Sequence, residues 1–141
     1  MMHASPTKAS CLIDMGPLSF QRSMRLSQVP GGCQARARGI HLLKKNLSPT
    51  QRDHYEKFGH FHVTGGTTGK RYRIRNGHQM NVEQLDKNGN LVSLWCFMPK
   101  GGLVDGDVML AQKLALELFE PDALSVANKI SAKYSLLSPM P

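Results

Sequence analysis

The sequence has little of several residue types, and each shortage excludes a class of protein. Its 141 residues contain only three cysteines, which are odd in number, widely separated and without a Cys-x-x-Cys pair: Cys11, Cys33 and Cys96. This pattern predicts neither a disulfide framework nor a zinc knuckle, and it favours the reducing cytoplasm as the location. No apolar run approaches the roughly 18 residues that a membrane-spanning helix needs, so no membrane span is predicted.

Acidic residues are scarce in the first third of the chain, which makes that part basic. Residues 1–52 hold eight Lys and Arg against one acid, Asp14, whereas residues 53–141 hold ten against nine, and the net charge is +8. A basic excess favours contact with nucleic acid, an acidic protein or an anionic membrane surface. A solvated tail that binds nothing explains the same composition equally well.

Hydrophobic periodicity is also missing from the N-terminal part. Residues 1–45 mix Ser, Pro, Gly, Met and Arg, and Val29-Pro30-Gly31-Gly32 interrupts any regular element. We therefore predict a poorly ordered basic extension over residues 1–45, a single folded domain over 46–134 and a frayed tail over 135–141.

Local patterns predict an α+β fold for the domain. Ser48-Pro49-Thr50-Gln51 has the spacing of a capping box with proline at the first helical position, so a short helix begins there and ends at Gly59. Strands are predicted near Met80–Glu83 and Leu91–Met98, joined by a turn at Asp86–Asn90. Together with a hairpin over His60–Arg75 they make an antiparallel meander of about four strands.

Two helices are predicted after the sheet. The first spans residues 107–119, with Asp105-Gly106-Asp107 as its cap and first-turn acid, and is expected to pack on the sheet through Leu110, Leu114 and Leu118. The second has Pro121 at its first position and runs from Asp122 to about Lys133. The sheet is thus packed on a C-terminal helix, with short helices at either end.

The hairpin has chemically different faces, because side chains alternate along a strand. Its apolar face holds Phe61, Val63, Tyr72 and Ile74. Its cationic face holds His60, His62, Arg71, Arg73 and Arg75. Trp95, like Tyr72, is expected in the core rather than as a base-stacking residue.

The turn of the hairpin, Gly65-Gly66-Thr67-Thr68-Gly69-Lys70, invites comparison with a nucleotide-binding P-loop. A P-loop has four residues between its first Gly and the Gly-Lys pair, then Ser or Thr, then a helix. Here the spacing is one residue short, Arg71 replaces the Ser or Thr, and a strand follows. Nucleotide hydrolysis is therefore rejected, and the glycines are attributed to turn geometry.

Other residues of catalytic or metal-binding type lack a diagnostic arrangement. Metal-ligand types occur at His54, His60, His62 and His78. His60 and His62 would project two imidazoles from one strand face, but a zinc site needs three or four protein ligands and no Cys or acidic partner lies at diagnostic spacing. Cys96 lies in an apolar run, where a thiol is usually inert. We predict no metal, no cofactor and no catalytic residue, and a non-enzymatic function is favoured.

The arginine row is the strongest indication of a partner. Arg71, Arg73 and Arg75 span about 13 Å along a strand, enough to meet more than one phosphate or carboxylate. The candidate anion-binding residues are Lys70, Arg71, Arg73, Arg75, His60 and His62. The competing interpretation is that Glu83, Asp53 or Glu56 neutralises the row within the fold.

Two functions stay open at this point. One is binding of an anionic macromolecule, either nucleic acid or an acidic protein, through the Arg71, Arg73 and Arg75 strand face. The alternative is a protein-interaction or regulatory module with no nucleic-acid role. The oligomeric state is not predicted.

Two segments resemble those of a group of small uncharacterised bacterial proteins. They are TGGTTGKRYRI, from Thr64 to Ile74, and GDVMLAQKLALE, from Gly106 to Glu117. The resemblance covers roughly residues 48–129 and leaves residues 1–45 outside. It implies a bacterial cytosolic domain, and since that group has no assigned activity it implies no catalytic residue.

Overall fold

Four helices and five strands make up residues 32–132, the part of the chain that the computed structural model describes. The helices are α1 (Gly32–Asn46), α2 (Pro49–Phe58), α3 (Asp105–Leu118) and α4 (Glu120–Val126). The strands are β1 (His60–Thr64), β2 (Arg71–Arg75), β3 (Val82–Leu85), β4 (Leu91–Cys96) and β5 (Asn128–Ser131). The predicted α+β class is confirmed. None of these described helices is both long and apolar enough to cross a membrane.

Each strand of the sheet pairs antiparallel with the next, in the order β1-β2-β3-β4-β5. The predicted meander is therefore correct for β1 to β4, and β5 extends it. The predicted helix from Asp122 to Lys133 is wrong beyond Val126, because Ala127 has extended backbone angles. The chain then pairs with β4, and the Lys129 ammonium lies 5.2 Å from the centre of the Trp95 ring.

The first helix of the domain, α2, forms as the sequence predicts. The Ser48 hydroxyl accepts a hydrogen bond from Gln51 N at 3.2 Å, and the Gln51 side chain accepts one from Ser48 N at 3.0 Å. Gly59 ends the helix with φ of +72°, a left-handed conformation that glycine adopts without strain.

The inner face of the sheet, defined as the face that carries Phe61, Val63, Tyr72, Ile74 and Val82, forms the core with α3. Met109 and Leu116 of α3 are fully buried in the same cluster. The predicted packing through Leu114 and Leu118 is wrong, since these side chains are 42% and 64% exposed.

A buried polar residue explains why the leucine spacing of α3 predicted the wrong buried side. Gln112 lies between Met109 and Leu116 on the buried side of the helix and is 1% exposed. Its amide nitrogen donates to Asn81 Oδ1 at 2.9 Å, and its amide oxygen accepts from Asn81 Nδ2 at 2.8 Å. This reciprocal pair satisfies both buried amides, so the helix buries a stripe that is not uniformly apolar.

Helix α1 corrects the predicted domain boundary. Residues 1–45 were expected to be poorly ordered, yet α1 packs along α3 and places Leu43 fully within the core. Gly39 and Gly106 allow the close approach, because a β-carbon on Gly106 would lie 2.6 Å from Ile40 N. The folded domain therefore includes residues 32–45. The rest of the predicted extension and the predicted tail over 135–141 lie outside the described residues.

The two described cysteines differ in state. Cys96 is a half-buried free thiol, as expected for a residue in an apolar strand. Cys33, in α1, is disulfide-bonded, which the odd number and wide spacing of the cysteines did not predict.

Candidate anion-binding face

The outer face of the sheet, opposite the core, carries five of the six predicted site residues on β1 and β2. Register places His60 beside Arg75 and His62 beside Arg73. Arg71 lies beside Thr64 at the other end of the hairpin. Lys70 precedes β2 in the turn and is exposed, but strand alternation places it on the side of Tyr72. The hairpin therefore brings Arg71, Arg73, Arg75, His60 and His62 together and leaves Lys70 apart.

Glu83 neutralises part of the arginine row. This residue of β3 lies beside Arg73, is 4% exposed and accepts a hydrogen bond from Arg73 Nε. Its second oxygen lies 3.4 Å from Arg75 Nε. The competing interpretation is thus confirmed for Glu83 with Arg73 and Arg75.

The other two acids considered in sequence do not reach the row. Asp53 pairs with Lys57 at 3.0 Å, and Glu56 pairs with Lys44 at 3.3 Å. Arg71 is exposed and forms no ion pair with any of residues 32–132. Its guanidinium is the free cation of the row within the described fold.

Four rings in mutual contact lie at the β1 edge of the outer face, and we call this group the aromatic column: His54, Phe58, His60 and His62. The ring of Phe58 stacks on His60 with centroids 5.8 Å apart and an interplanar angle of 21°. His62 meets His60 and His54 edge-on at 5.6 and 5.8 Å. Helix α2 contributes two of the rings because it packs against β1.

His60 and His62 are not a source of charge at neutral pH. Burial and the Arg73 guanidinium lower the pKa of His60 below its ordinary value of 6.5. Burial and the neighbouring His60 lower the pKa of His62 in the same way. The positive charge of the outer face near pH 7 therefore comes from the arginines.

No metal centre forms from these side chains in the part of the chain that the structure describes. Within residues 32–132, no group of three or more His, Cys, Asp or Glu side chains has an arrangement that could hold a metal ion. His78 lies elsewhere, 2.8 Å from Asp105 at the start of α3.

The glycine-rich turn binds a carboxylate of the chain itself, which the sequence did not reveal. Glu120, at the start of α4, is fully buried. Its Oε2 accepts from Thr67 N at 2.9 Å and Thr68 N at 2.8 Å. Its Oε1 accepts from the Thr68 hydroxyl and from Tyr72 Oη, the latter at 2.7 Å. Burial raises the pKa of Glu120, but these hydrogen bonds outweigh it and lower the pKa to about 2.

The glycines of this turn are required for two different physical reasons. Gly69 has φ of +71°, so turn geometry accounts for it as predicted. Gly65 and Gly66 are required by close approach instead, because a β-carbon would overlap the Glu120 carboxylate at Gly65 and the Glu117 carbonyl at Gly66. The turn does bind an anionic group, but that group is Glu120.

The aromatic residues of the strands are part of the fold. Tyr72 is fully buried and Trp95 is 8% exposed, with its indole N–H donating to Gln84 Oε1 at 3.1 Å. Phe58 is an exposed aromatic that sequence reasoning passed over, since its position at the end of α2 gave no indication of what it would contact. It is 64% exposed.

Comparison with protein-family models, with curated proteins and with solved structures finds no match to this chain. The resemblance to small bacterial proteins stays a prediction. Any function must therefore be argued from the outer face itself.

Proposed function

We propose that this protein is a non-enzymatic binding protein whose outer sheet face binds an anionic macromolecule. The observation that carries the proposal is Arg71, an exposed guanidinium without an ion pair among residues 32–132, next to two arginines that share one carboxylate. Three guanidinium groups and one carboxylate leave the charged side chains of this face with a net charge of +2. A partner with several anionic groups can pair with guanidinium groups along the whole row, whereas a single small anion reaches only part of it.

The way in which Glu83 is bound supports a surface role for the arginines. Glu83, on the neighbouring strand, holds the Arg73 side chain in place through its ion pair. The Arg75 side chain stays 56% exposed. A guanidinium has five N–H donors, so a contact with Glu83 leaves further donors for a partner. The fold thus positions the row and leaves Arg71 and Arg75 accessible.

Retention on a heparin column tests the proposal. The informative variant is Arg71→Gln with Arg75→Gln, which keeps Arg73 so that buried Glu83 retains its ion pair. The matched control is Lys87→Gln with Lys100→Gln, which removes the same charge from exposed residues outside the strands of the row. We expect the arginine variant to elute at clearly lower salt than the control, because phosphate and sulfate contacts are lost only there.

Two results would count against the proposal. Equal elution of both variants would mean that retention depends on net charge alone. Wild-type protein that is not retained at low salt would exclude a polyanion-binding face altogether. The helical circular dichroism spectrum of each variant serves as the check on folding.

The second candidate is a protein-interaction module, favoured by exposed apolar side chains at the end of α3. Leu114, Leu118 and Phe119 are 42%, 64% and 60% exposed. A partner bound there would be held by apolar contact, so its retention would change little with salt. Leu118→Ser would abolish that retention, while Arg71→Gln would leave it unchanged.

A further inference from the structure

We infer that the anionic partner is single-stranded nucleic acid, with bases stacking on the aromatic column while phosphates meet the arginine row. This inference rests on the proposed function, because it names the class of polyanion that the same face would bind. Its basis is that the aromatic column and the arginine row lie side by side on one surface.

The two strand members of the column, His60 and His62, lie alongside the arginine row, because β1 and β2 are paired. Phe58 stacks on His60, and His60 lies beside Arg75 in the register of β1 and β2. One step along, His62 lies beside Arg73. Neighbouring strands are about 4.8 Å apart, so each of these imidazole-bearing residues lies one strand spacing from an arginine of the row.

The column offers an accessible ring. Phe58 is 64% exposed although it is a large aromatic residue, and one side of its ring already stacks on His60. The lowered pKa values of His60 and His62 leave the imidazoles uncharged near pH 7, so they behave there as flat rings. Base–aromatic stacking of this kind tolerates any base, because every base has a π-face.

The exposed Phe58 ring favours one class of polyanion over the others, because only some polyanions offer a flat base to stack on it. A duplex keeps its base faces inside the helix and would offer this surface phosphates and base edges, but no base face for stacking. Heparin and acidic proteins carry anionic groups but no flat bases. A single strand is the polyanion that uses both the row and the column, which is why the geometry favours it.

The experiment measures fluorescence anisotropy with the full 141-residue chain and three labelled probes. The probes are oligothymidine, an abasic oligodeoxynucleotide of equal length and a blunt duplex. The key variant is Phe58→Ala, with Phe58→Leu to keep the apolar bulk if the alanine variant is unstable. Phe119→Ala is the matched control, because Phe119 is exposed to nearly the same extent, 60%, but follows α3 and makes no ring contact with the members of the column.

We expect oligothymidine to bind more tightly than the abasic probe and the duplex. Phe58→Ala should weaken oligothymidine binding about tenfold, in the range for loss of one stacked base, and leave abasic binding unchanged. Phe119→Ala should change neither, and Arg71→Gln should weaken both.

The outcomes separate this inference from the proposed function. If Phe58→Ala or Phe58→Leu leaves oligothymidine binding unchanged while Arg71→Gln weakens it, base stacking is overturned and polyanion binding stands. If the duplex binds as tightly as oligothymidine, the single-strand preference is overturned. If no probe binds and heparin does not retain the protein, both proposals fall.

Discussion

Glu120 connects the glycine-rich turn to the C-terminal end of the core helix. Its four hydrogen-bond donors come from Thr67, Thr68 and Tyr72, which lie 48 to 53 residues earlier in the chain. The sequence could not predict this contact, because no local pattern relates positions so far apart. It did predict Tyr72 as buried, since strand alternation is local.

Glu120→Gln should lower the free energy of unfolding by about 2–3 kcal/mol, because an amide has a single accepting oxygen and its NH2 group cannot accept the bonds that the second carboxylate oxygen accepts. Asp122→Asn, on the same helix but exposed, is the control and should change stability by less than about 0.5 kcal/mol. Urea denaturation at pH 7 measures both. A cost for Glu120→Gln no larger than that of the control would show that the turn does not depend on this carboxylate.

The same carboxylate predicts a pH dependence of stability. The folded pKa of Glu120 is about 2, against an ordinary value of 4.5. A depressed folded pKa contributes stability that is present above the unfolded pKa and is lost as the pH falls toward the folded pKa. We therefore expect the stability of the wild type to fall between pH 4.5 and about 2 more steeply than that of Glu120→Gln. Parallel curves would contradict this assignment.

At the scale of elements, local patterns predicted the hairpin, the meander and α2, because alternation, turn residues and the capping box around Ser48 are short-range. They missed α1 because its packing depends on Gly39 meeting Gly106, distant in sequence. They missed β5 because Asn128–Ser131 lacks an apolar alternation and gains its structure by pairing with β4.

The contact between α1 and α3 predicts the effect of one methyl group. Gly106→Ala should destabilise the fold by about 1–3 kcal/mol, because its β-carbon would overlap the Gly39 backbone in a well-packed interface. Gly102→Ala is the control, since a β-carbon there meets nothing within 4 Å. Thermal unfolding compares them. Equal melting temperatures would show that α1 does not pack as described.

The buried stripe of α3 predicts which of its leucines matters. Leu116→Ala should cost about 2–5 kcal/mol, because the side chain is fully buried. Leu114→Ala should cost less than about 0.5 kcal/mol, because Leu114 is 42% exposed. Chemical denaturation of the two variants distinguishes the observed packing from the leucine stripe expected from spacing. A larger cost for Leu114→Ala would favour that stripe.

For the whole molecule, the sheet separates a helix-covered core face from an outer face with a cationic half. Alternation alone predicted that Arg71, Arg73 and Arg75 share a surface with His60 and His62. It could not predict that Glu83 pairs with Arg73 and Arg75 rather than with Arg71, because side-chain pairing across strands depends on register. The candidate site was therefore predictable as a set of side chains, whereas its free charge and its aromatic column required the fold.

The most direct test of the binding face is the salt dependence of oligothymidine affinity. We expect the logarithm of the binding constant to fall linearly with the logarithm of salt concentration. The slope should be shallower by about 1 to 2 in the variant that carries Arg71→Gln and Arg75→Gln, because each lost phosphate contact removes about 0.7 from it. Lys87→Gln with Lys100→Gln should keep the wild-type slope. A slope unchanged in the arginine variant would contradict the assignment of this face as the binding surface.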